Sequence, residues 1–161
     1  MPRMTFEQRL FSKIMVDPAD PHACWIWTAT TTWNGYGQVW RDGRMIRPHR
    51  ATYELYRGTV PPGMFLDHTC HTRNCVNPEH LRIVTHKQNL ENLSGARRDS
   101  RSGVRGVRWR KDIGRWRVEV THNGRTHHGG TFDDLDAAAD AARALRNRLF
   151  THNDADRVPS A

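Results

Sequence analysis

The stretch DHTCHTRNCVNPEH, residues 67–80, decides the fold, because it gathers side chains that bind metals and transfer protons. Two cysteines and a histidine in it recur with four residues between each pair, and one further cysteine lies far upstream. Thiolate sulfur and imidazole nitrogen are the ligands that zinc prefers, and a structural zinc takes four of them. The candidate zinc ligands are Cys24, Cys70, Cys75 and His80. Buried thiols without a metal are the alternative interpretation, and His71 is a competing ligand whose position next to a cysteine would strain the geometry.

Asp67 and His68 open this stretch at the end of a predicted strand, and Asn89 lies in the first turns of a predicted helix downstream. A strand–loop–strand–helix order could bring both ends to one point. Carboxylate and carboxamide oxygens suit Mg²⁺, and an imidazole can act as a general base near neutral pH. From the residues alone, a simple turn at residues 67–68 and a solvated Asn89 form the plainer interpretation.

Hydrophobic periodicity and turn residues predict an α+β chain with two folded parts. The predicted strands are 25–27, 36–40, 45–46, 65–68, 81–84, 104–109, 116–121 and 126–132. The predicted helices are 4–14, 49–57, one that begins after Thr85 in a capping-box pattern with Gln88, and 133–150. Residues 95–103 have a linker composition with three arginines to one aspartate. The predicted organisation is a domain at 1–94, a basic linker at 95–103, a second domain at 104–150 and a loose tail at 151–161.

The charge of the chain favours nucleic acid as its partner. Its 161 residues carry a formal net charge of +8, and Lys and Arg bind nucleic acid by neutralising phosphates. No long apolar run and no basic amphipathic helix with a wide apolar face occurs, which argues against a membrane partner. The N-terminus lacks the apolar core of a signal peptide. We therefore expect a cytoplasmic protein with no membrane partner.

The first part of the chain resembles the HNH, or His-Me finger, nucleases, particularly the zinc-bearing homing endonucleases and their phage relatives. The resemblance covers roughly residues 22–94. It depends on the entry Cys24-Trp25-Ile26-Trp27 with Asn34-Gly35-Tyr36-Gly37, on the block from Asp67 to Leu81, and on Gln88-Asn89. It implies a ββα-metal nuclease domain with a structural zinc, and a phage or mobile-element protein that acts inside the host cell.

The resemblance also implies roles for individual residues. His68 would be the general base that activates water, and Asn89 a ligand of a catalytic Mg²⁺ or Mn²⁺. Asp67 would be a second ligand of that ion, as in the phage branch, although the position need not be acidic in the zinc-bearing homing branch. The structural zinc would be bound by Cys24, Cys70, Cys75 and His80. Asn77 would hold the loop by hydrogen bonds. An arginine near the scissile phosphate would help, with Arg47, Arg50 and Arg73 as unranked candidates.

The second part of the chain combines arginines with alternating apolar residues. Strand alternation places Arg115, Arg117 and Glu119 on one face and Trp116 with two valines on the other. An arginine-rich sheet face can enter the major groove and read guanine, whereas a solvated sheet face is the plainer alternative.

Residues 103–150 look like an AP2, or ethylene-response-factor, DNA-binding domain. The resemblance depends on Gly106-Val107-Arg108-Trp109, on residues 114–120, on Gly130-Thr131-Phe132 and on the alanine-rich helix. It implies a small three-stranded antiparallel sheet with one helix, and a sheet face in the major groove. The implied DNA contacts are Arg105, Arg108, Trp109, Arg110, Arg115, Arg117 and Arg125. The third strand departs from the family pattern with Thr126-His127-His128, so no base preference can be carried over.

Together the two parts predict a site-specific, homing-type endonuclease that hydrolyses double-stranded DNA as a monomer or homodimer. The nuclease part would cut, and the linker would tether the part that reads the sequence. The alternative is a DNA-binding transcriptional regulator in which the zinc-stapled fold is a non-catalytic scaffold. A structural RNA-binding protein is a third hypothesis, which predicts that the chain binds RNA without any metal-dependent strand break.

Overall fold

A computed structural model describes residues 4–157 of the chain and divides it into two compact units between His86 and Lys87. The predicted domain boundary lies eight residues further on, so the segment 95–103 falls inside the second unit. Among the described residues, no helix has the length and apolar character needed to cross a membrane. Each unit combines helices with antiparallel strands, in agreement with the predicted α+β class.

The first unit is built from three small two-stranded sheets and two helices. Its elements are α1 (Phe6–Phe11), β1 (Ile14–Met15), β2 (Ile26–Trp27), β3 (Val39–Arg41), β4 (Arg44–Ile46), α2 (Pro48–Arg57), β5 (Phe65–His68), a 3₁₀ turn (Pro78–His80) and β6 (Leu81–Val84). The pairs are β1 with β2, β3 with β4 and β5 with β6, all antiparallel.

A compact apolar cluster holds these short elements together. Its buried members are Leu10, Trp27, Val39, Ala51 and Val76, which come from five different segments. Close approach is possible because Gly37 has no side chain: a Cβ there would lie 2.5 Å from Cγ of Pro48. Helix α1 starts at a capping box in which Thr5 and Gln8 satisfy each other's backbone amides.

The β5–β6 pair sets the frame for the candidate site. Its register places Asp67 opposite Arg82 and His68 opposite Leu81, so the loop of residues 69–80 leaves and re-enters the sheet beside His68. Both strands have the predicted bounds.

The second unit begins with a short helix and continues into a three-stranded sheet. Its elements are α3 (His86–Glu91), β7 (Val107–Arg110), β8 (Arg115–His122), β9 (Arg125–Phe132), α4 (Leu135–Leu149) and α5 (Asp154–Arg157). The sheet order is β7-β8-β9, and the sheet is fully antiparallel, as the AP2 resemblance implies.

Helix α4 covers one face of this sheet. Val118 and Val120 are buried against Ala138, Ala142 and Leu145, in keeping with the predicted alternation along β8. The opposite face keeps its arginines partly or fully exposed.

Residues 151–157 differ from the loose tail that the sequence predicts. Residues 154–157 form α5, and Asn153 just before this helix is fully buried. Hydrogen bonds hold this segment in place, because the backbone amides of Thr151 and His152 donate to the carboxylate of Glu91. The rest of the predicted tail, residues 158–161, lies outside the described residues.

Candidate functional site

The four predicted zinc ligands lie together in the first unit. The sulfur atoms of Cys24, Cys70 and Cys75 and a ring nitrogen of His80 all lie within 4.8 Å of one another. Nδ1 of His80 is 3.5 Å from Sγ of both Cys24 and Cys75. His71 is not part of this group among the described residues.

Backbone pairing brings the distant Cys24 to this loop. The amide of Trp27 donates to the carbonyl of Asn74 at 2.9 Å, and the amide of Val76 donates to the carbonyl of Trp25 at 2.8 Å. Because these bonds flank Cys75, the chain just before Trp25 must pass beside the loop.

Asn77 fastens the same loop from within. Its Nδ2 donates to the carbonyl of Ala23 at 2.9 Å, and its Oδ1 accepts from the amide of Glu79 at 2.9 Å. The side chain therefore links the residue before Cys24 to the 3₁₀ turn that carries His80.

Hydrogen bonds and burial shift the pKa values of the three thiols in different directions. The hydrogen bond from Cys75 lowers the pKa of Cys70 to about 4. The hydrogen bond with Cys70 raises the pKa of Cys75, since it stabilises the protonated thiol that donates it. Burial raises the pKa of Cys24. Three sulfurs and one imidazole within bonding reach of a common point are a donor set that fits zinc, which binds thiolates and displaces their protons.

His68 is 6% exposed and is fixed by one hydrogen bond. Its Nε2 lies 2.9 Å from the carbonyl oxygen of Cys75. A carbonyl can only accept, so Nε2 carries the proton and the neutral ring keeps its lone pair on Nδ1. A nitrogen with a lone pair is what a general base requires.

Two further rings surround His68. The ring of His49 lies edge-on at a centroid distance of 5.0 Å, and the ring of Tyr36 lies at 5.9 Å. Burial lowers the pKa of His49 to about 3, with the positive charges of Arg47 and Arg50 adding to the effect. His49 is therefore neutral at physiological pH, which supports a packing role for it.

Asp67 is paired with a residue that the sequence interpretation missed. Nε and Nη2 of Arg82 donate to Oδ2 of Asp67 at 3.1 and 2.9 Å, and the carboxylate is almost fully buried. The strand register is the cause, since the two residues face each other across β5 and β6. The signal was available in principle, because opposite charges often lie at facing positions of paired strands.

The three candidate phosphate-binding arginines have different partners. Arg50 pairs with Glu54 at 2.9 Å, and Arg73 donates to the carbonyl of Asn34 at 3.1 Å. Arg47 instead lies over the ring of Tyr36, at 5.7 Å, and Tyr36 contacts His68. Arg47 also lines a cleft of about 650 Å³ whose other arginines are Arg41, Arg44 and Arg50.

Asn89 lies on α3, in the second unit, and is partly buried. Its role as a metal ligand stays a prediction.

The exposed face of the second unit is organised around one acid. Glu119 binds Nη2 of Arg108 at 2.7 Å and Nε of Arg117 at 2.9 Å, and His128 lies 3.3 Å from the same carboxylate. Arg108 and Arg117 face each other across β7 and β8, so this carboxylate offsets their mutual repulsion.

Four of the remaining predicted DNA-contacting residues lie on the strands of this sheet, and Arg105 lies before its first strand. Arg110 pairs with Asp112 and Arg115 pairs with Asp133, both at the surface. Trp109 is 44% exposed and packs edge-on against Trp116. Arg125 is an exposed residue at the start of β9. Arg105 differs, because its guanidinium is turned to backbone carbonyls at the end of α3.

Comparison with known families identifies both parts of the chain. A profile of the HNH endonuclease family matches residues 47–91, and a profile of the AP2 domain matches residues 102–152. No solved structure gives a significant match.

The curated relatives are phage proteins. Protein 7.7 of Escherichia phage T7 is 39% identical over 70 residues, which make up 44% of this chain and 54% of that protein. Protein 2.8 of the same phage is 33% identical over 92 residues, 56% of this chain and 60% of that protein. Protein 3.8 of the same phage is 30% identical over 102 residues, 62% of this chain and 82% of that protein. The chain thus spans little more than half the length of the first two.

Proposed function

Since the chain carries an HNH endonuclease domain followed by an AP2 domain and belongs to the same family as protein 3.8 of phage T7, we propose that it is a site-specific, homing-type DNA endonuclease. The HNH part cuts a phosphodiester bond, and the AP2 part reads the sequence of double-stranded DNA through its sheet face. The phage relatives support action inside an infected cell.

The contact between Nε2 of His68 and the carbonyl oxygen of Cys75 is the observation that carries the nuclease proposal. With Nε2 donating to the carbonyl of Cys75, Nδ1 can take a proton from a water molecule as it attacks phosphorus. The same loop carries Cys70, Cys75 and His80 of the candidate metal site, so the ring nitrogen lies next to residues suited to bind metal. The products would be a 5′ phosphate and a 3′ hydroxyl.

The neighbouring residues take supporting roles in this proposal. Arg82 orients the carboxylate of Asp67, which together with Asn89 would hold a divalent ion of the Mg²⁺ or Mn²⁺ type. Such an ion, when bound, supplies positive charge next to the phosphate. Arg47 would bind a non-bridging oxygen of the same phosphate, because its guanidinium lies over the ring of Tyr36, which contacts the ring of His68.

The Cys₃His cluster has a structural role in this proposal. A zinc ion bound by Cys24, Cys70, Cys75 and His80 would cross-link the N-terminal strands to the loop that carries the general base. A closed set of four ligands leaves no open position for substrate, which separates this ion from the catalytic one.

The DNA-reading surface consists of side chains on the exposed face of the sheet. Arginine forks suit the edges of guanine in the major groove, and an exposed tryptophan adds apolar contact. The proposed contacts are Arg108, Trp109, Arg110, Arg115, Arg117 and Arg125. Arg105 is left out of this surface because its guanidinium is occupied elsewhere.

A plasmid-cutting assay tests the proposal. Supercoiled DNA is incubated with Mg²⁺ and the wild-type chain, His68→Ala or His22→Ala, a matched control at an exposed histidine. We expect His68→Ala to lower the cutting rate at least about 100-fold, because a general base contributes that much or more. Zinc content and DNA binding should stay as in the wild type, and His22→Ala should cut normally.

Two outcomes would contradict the proposal. Cutting by His68→Ala within tenfold of the wild type would remove His68 from the reaction. A wild-type chain that binds DNA but leaves the plasmid supercoiled with any divalent ion would favour the non-catalytic regulator. The ratio of nicked to linear product also reports whether one strand or both are cut.

A further inference from the structure

The backbone carbonyls at the C-terminal end of α3 accept hydrogen bonds from one arginine that lies further along the chain. Nη1 of Arg105 donates to the carbonyls of Glu91 and Leu93 at 3.0 and 2.9 Å, and Nη2 donates to the carbonyl of Leu90 at 2.8 Å. The last carbonyls of a helix have no partner within the helix, and a positive charge at this end also interacts favourably with the helix dipole. Arg105 therefore acts as a cap.

Arg105 is itself held in a fixed position. Its guanidinium lies over the ring of Phe150 at 5.3 Å, and its own carbonyl accepts a hydrogen bond from Arg146. Arg146 is 5% exposed and forms two hydrogen bonds with Asp156. The cap is thus backed by the core of the AP2 unit and by α5.

A second set of bonds reaches α3 from the residues after α4. The carboxylate of Glu91 is 4% exposed and accepts from the amide and the hydroxyl of Thr151 at 2.9 and 3.1 Å and from the amide of His152 at 3.3 Å. Oδ1 of Asn92 accepts from the amide of Asp154 at 2.9 Å. These partners are the residues that the sequence predicted as a loose tail.

Helix α3 needs such support, because it has only six residues. Isolated helices shorter than about 12 residues are marginal in water. Its stability therefore depends on its partners, and those described above lie between Arg105 and Asp154, in the same unit as most of α3. At the other end of the helix, the ring of His86 contacts the ring of Phe65 at 5.4 Å.

We propose that Arg105 and Glu91 are positioning residues that fix α3, and with it Asn89, so that the residue proposed as a ligand of the catalytic ion depends on contacts within the second unit. The inference rests on the proposed role of Asn89 in the nuclease. It gives the second unit a role besides its proposed contacts with DNA.

The test compares the full chain with Arg105→Ala, Arg105→Lys and Arg143→Ala. Arg143 is an exposed arginine of α4 in the same unit and serves as the matched control. Amide hydrogen exchange of residues 86–94 reports the stability of α3, and cutting as a function of Mg²⁺ concentration reports the metal affinity. DNA binding measured without Mg²⁺ and zinc content report whether the two units remain folded.

We expect exchange in α3 to become at least about tenfold faster in Arg105→Ala, because charge-assisted hydrogen bonds are lost. The Mg²⁺ concentration for half-maximal cutting should rise about tenfold, as found when the partners of a metal ligand are removed. Arg105→Lys should restore part of both effects, and Arg143→Ala should change neither. DNA binding and zinc content should stay as in the wild type.

A general loss of stability would lower the amount of active protein at every Mg²⁺ concentration and leave the midpoint unchanged, and that result would overturn the proposal. Wild-type exchange in α3 of Arg105→Ala would overturn it as well. If the wild-type chain does not cut DNA at all, the proposed nuclease function fails. The exchange experiment then decides the positioning role alone, since faster exchange confined to α3 supports it and unchanged exchange refutes it.

Discussion

Replacing Cys24 with serine removes one of the four donor atoms of the cysteine–histidine cluster and leaves the fold otherwise intact. About 46 residues separate Cys24 from Cys70, so a metal that joins them closes a long loop. A cross-link over such a loop removes on the order of 4 kcal/mol of chain entropy from the unfolded state in the loop-entropy account. Small domains are stable by roughly 5–15 kcal/mol, so this loss is a large share of the total.

The expected consequence is a large drop in the melting temperature of the first unit. At about 4–8 °C for each kcal/mol in a domain of this size, Cys24→Ser should melt about 15 °C or more below the wild type. Scanning calorimetry in a zinc-containing buffer measures this shift, and elemental mass spectrometry measures the zinc content. We expect one zinc ion per wild-type chain and weak, easily chelated zinc in the variant.

His71→Asn is the matched control, because it changes a possible ligand that lies outside the cluster. His71 has a φ of 56°, a conformation that asparagine tolerates better than most residues. The control should keep its zinc and its melting temperature. The reasoning would be refuted if Cys24→Ser kept wild-type zinc affinity and stability, or if His71→Asn lost the metal instead.

Two further predictions concern acid stability and DNA binding. Burial holds the pKa of His49 near 3, below its ordinary value of 6.5, so the unfolded chain binds this proton at a higher pH than the folded chain does. The free energy of unfolding should therefore fall as the pH drops from about 6.5 towards 3, by up to about 1.4 kcal/mol per pH unit. In urea titrations at several pH values, His49→Gln should make this fall smaller. An equal fall in both proteins would contradict the buried, neutral state of His49. In anisotropy titrations, Arg117→Ala should weaken DNA binding about tenfold and reduce its dependence on salt, whereas Arg143→Ala should change neither. Unchanged affinity would exclude Arg117 from the DNA-reading surface.

Local patterns were enough to predict the strands around the candidate site. The strands at residues 65–68 and 81–84 have short apolar runs bounded by proline, glycine and polar residues, and the structure has the same bounds. The alternation along β8 also predicts which side faces α4, because a strand with one buried face leaves only one possible register.

The position of Cys24 could not be derived from spacing alone. Its approach to Cys75 depends on hydrogen bonds between residues 25–27 and 74–76, about 50 residues apart in the chain. Such a pairing is set by the packing of Trp27 and Val76 in a common core. Residue type made Cys24 the fourth candidate ligand, and the family resemblance implied the same set of four.

The role of Arg105 shows a second limit of sequence patterns. It stands next to the arginines of the sheet, and the resemblance placed it among them. In the structure, Gly106 has a φ of +83° and β7 begins only at Val107, so the chain turns before the strand starts. Arg105 is thereby separated from the reading face, and the direction of its side chain depends on a glycine that any pattern of charges overlooks.

Cys75 belongs to the Cys₃His cluster and also contacts His68, the proposed general base. Its sulfur belongs to the four-ligand cluster, while its carbonyl accepts the hydrogen bond that fixes the tautomer of His68. Any movement of the loop therefore moves the acceptor of the general base. Since a general base works only within hydrogen-bond reach of its proton, a loosened loop lowers the cutting rate even when the catalytic side chains are unchanged. Cys24→Ser should for this reason cut DNA poorly well below its melting temperature, although Cys24 itself touches no part of the substrate.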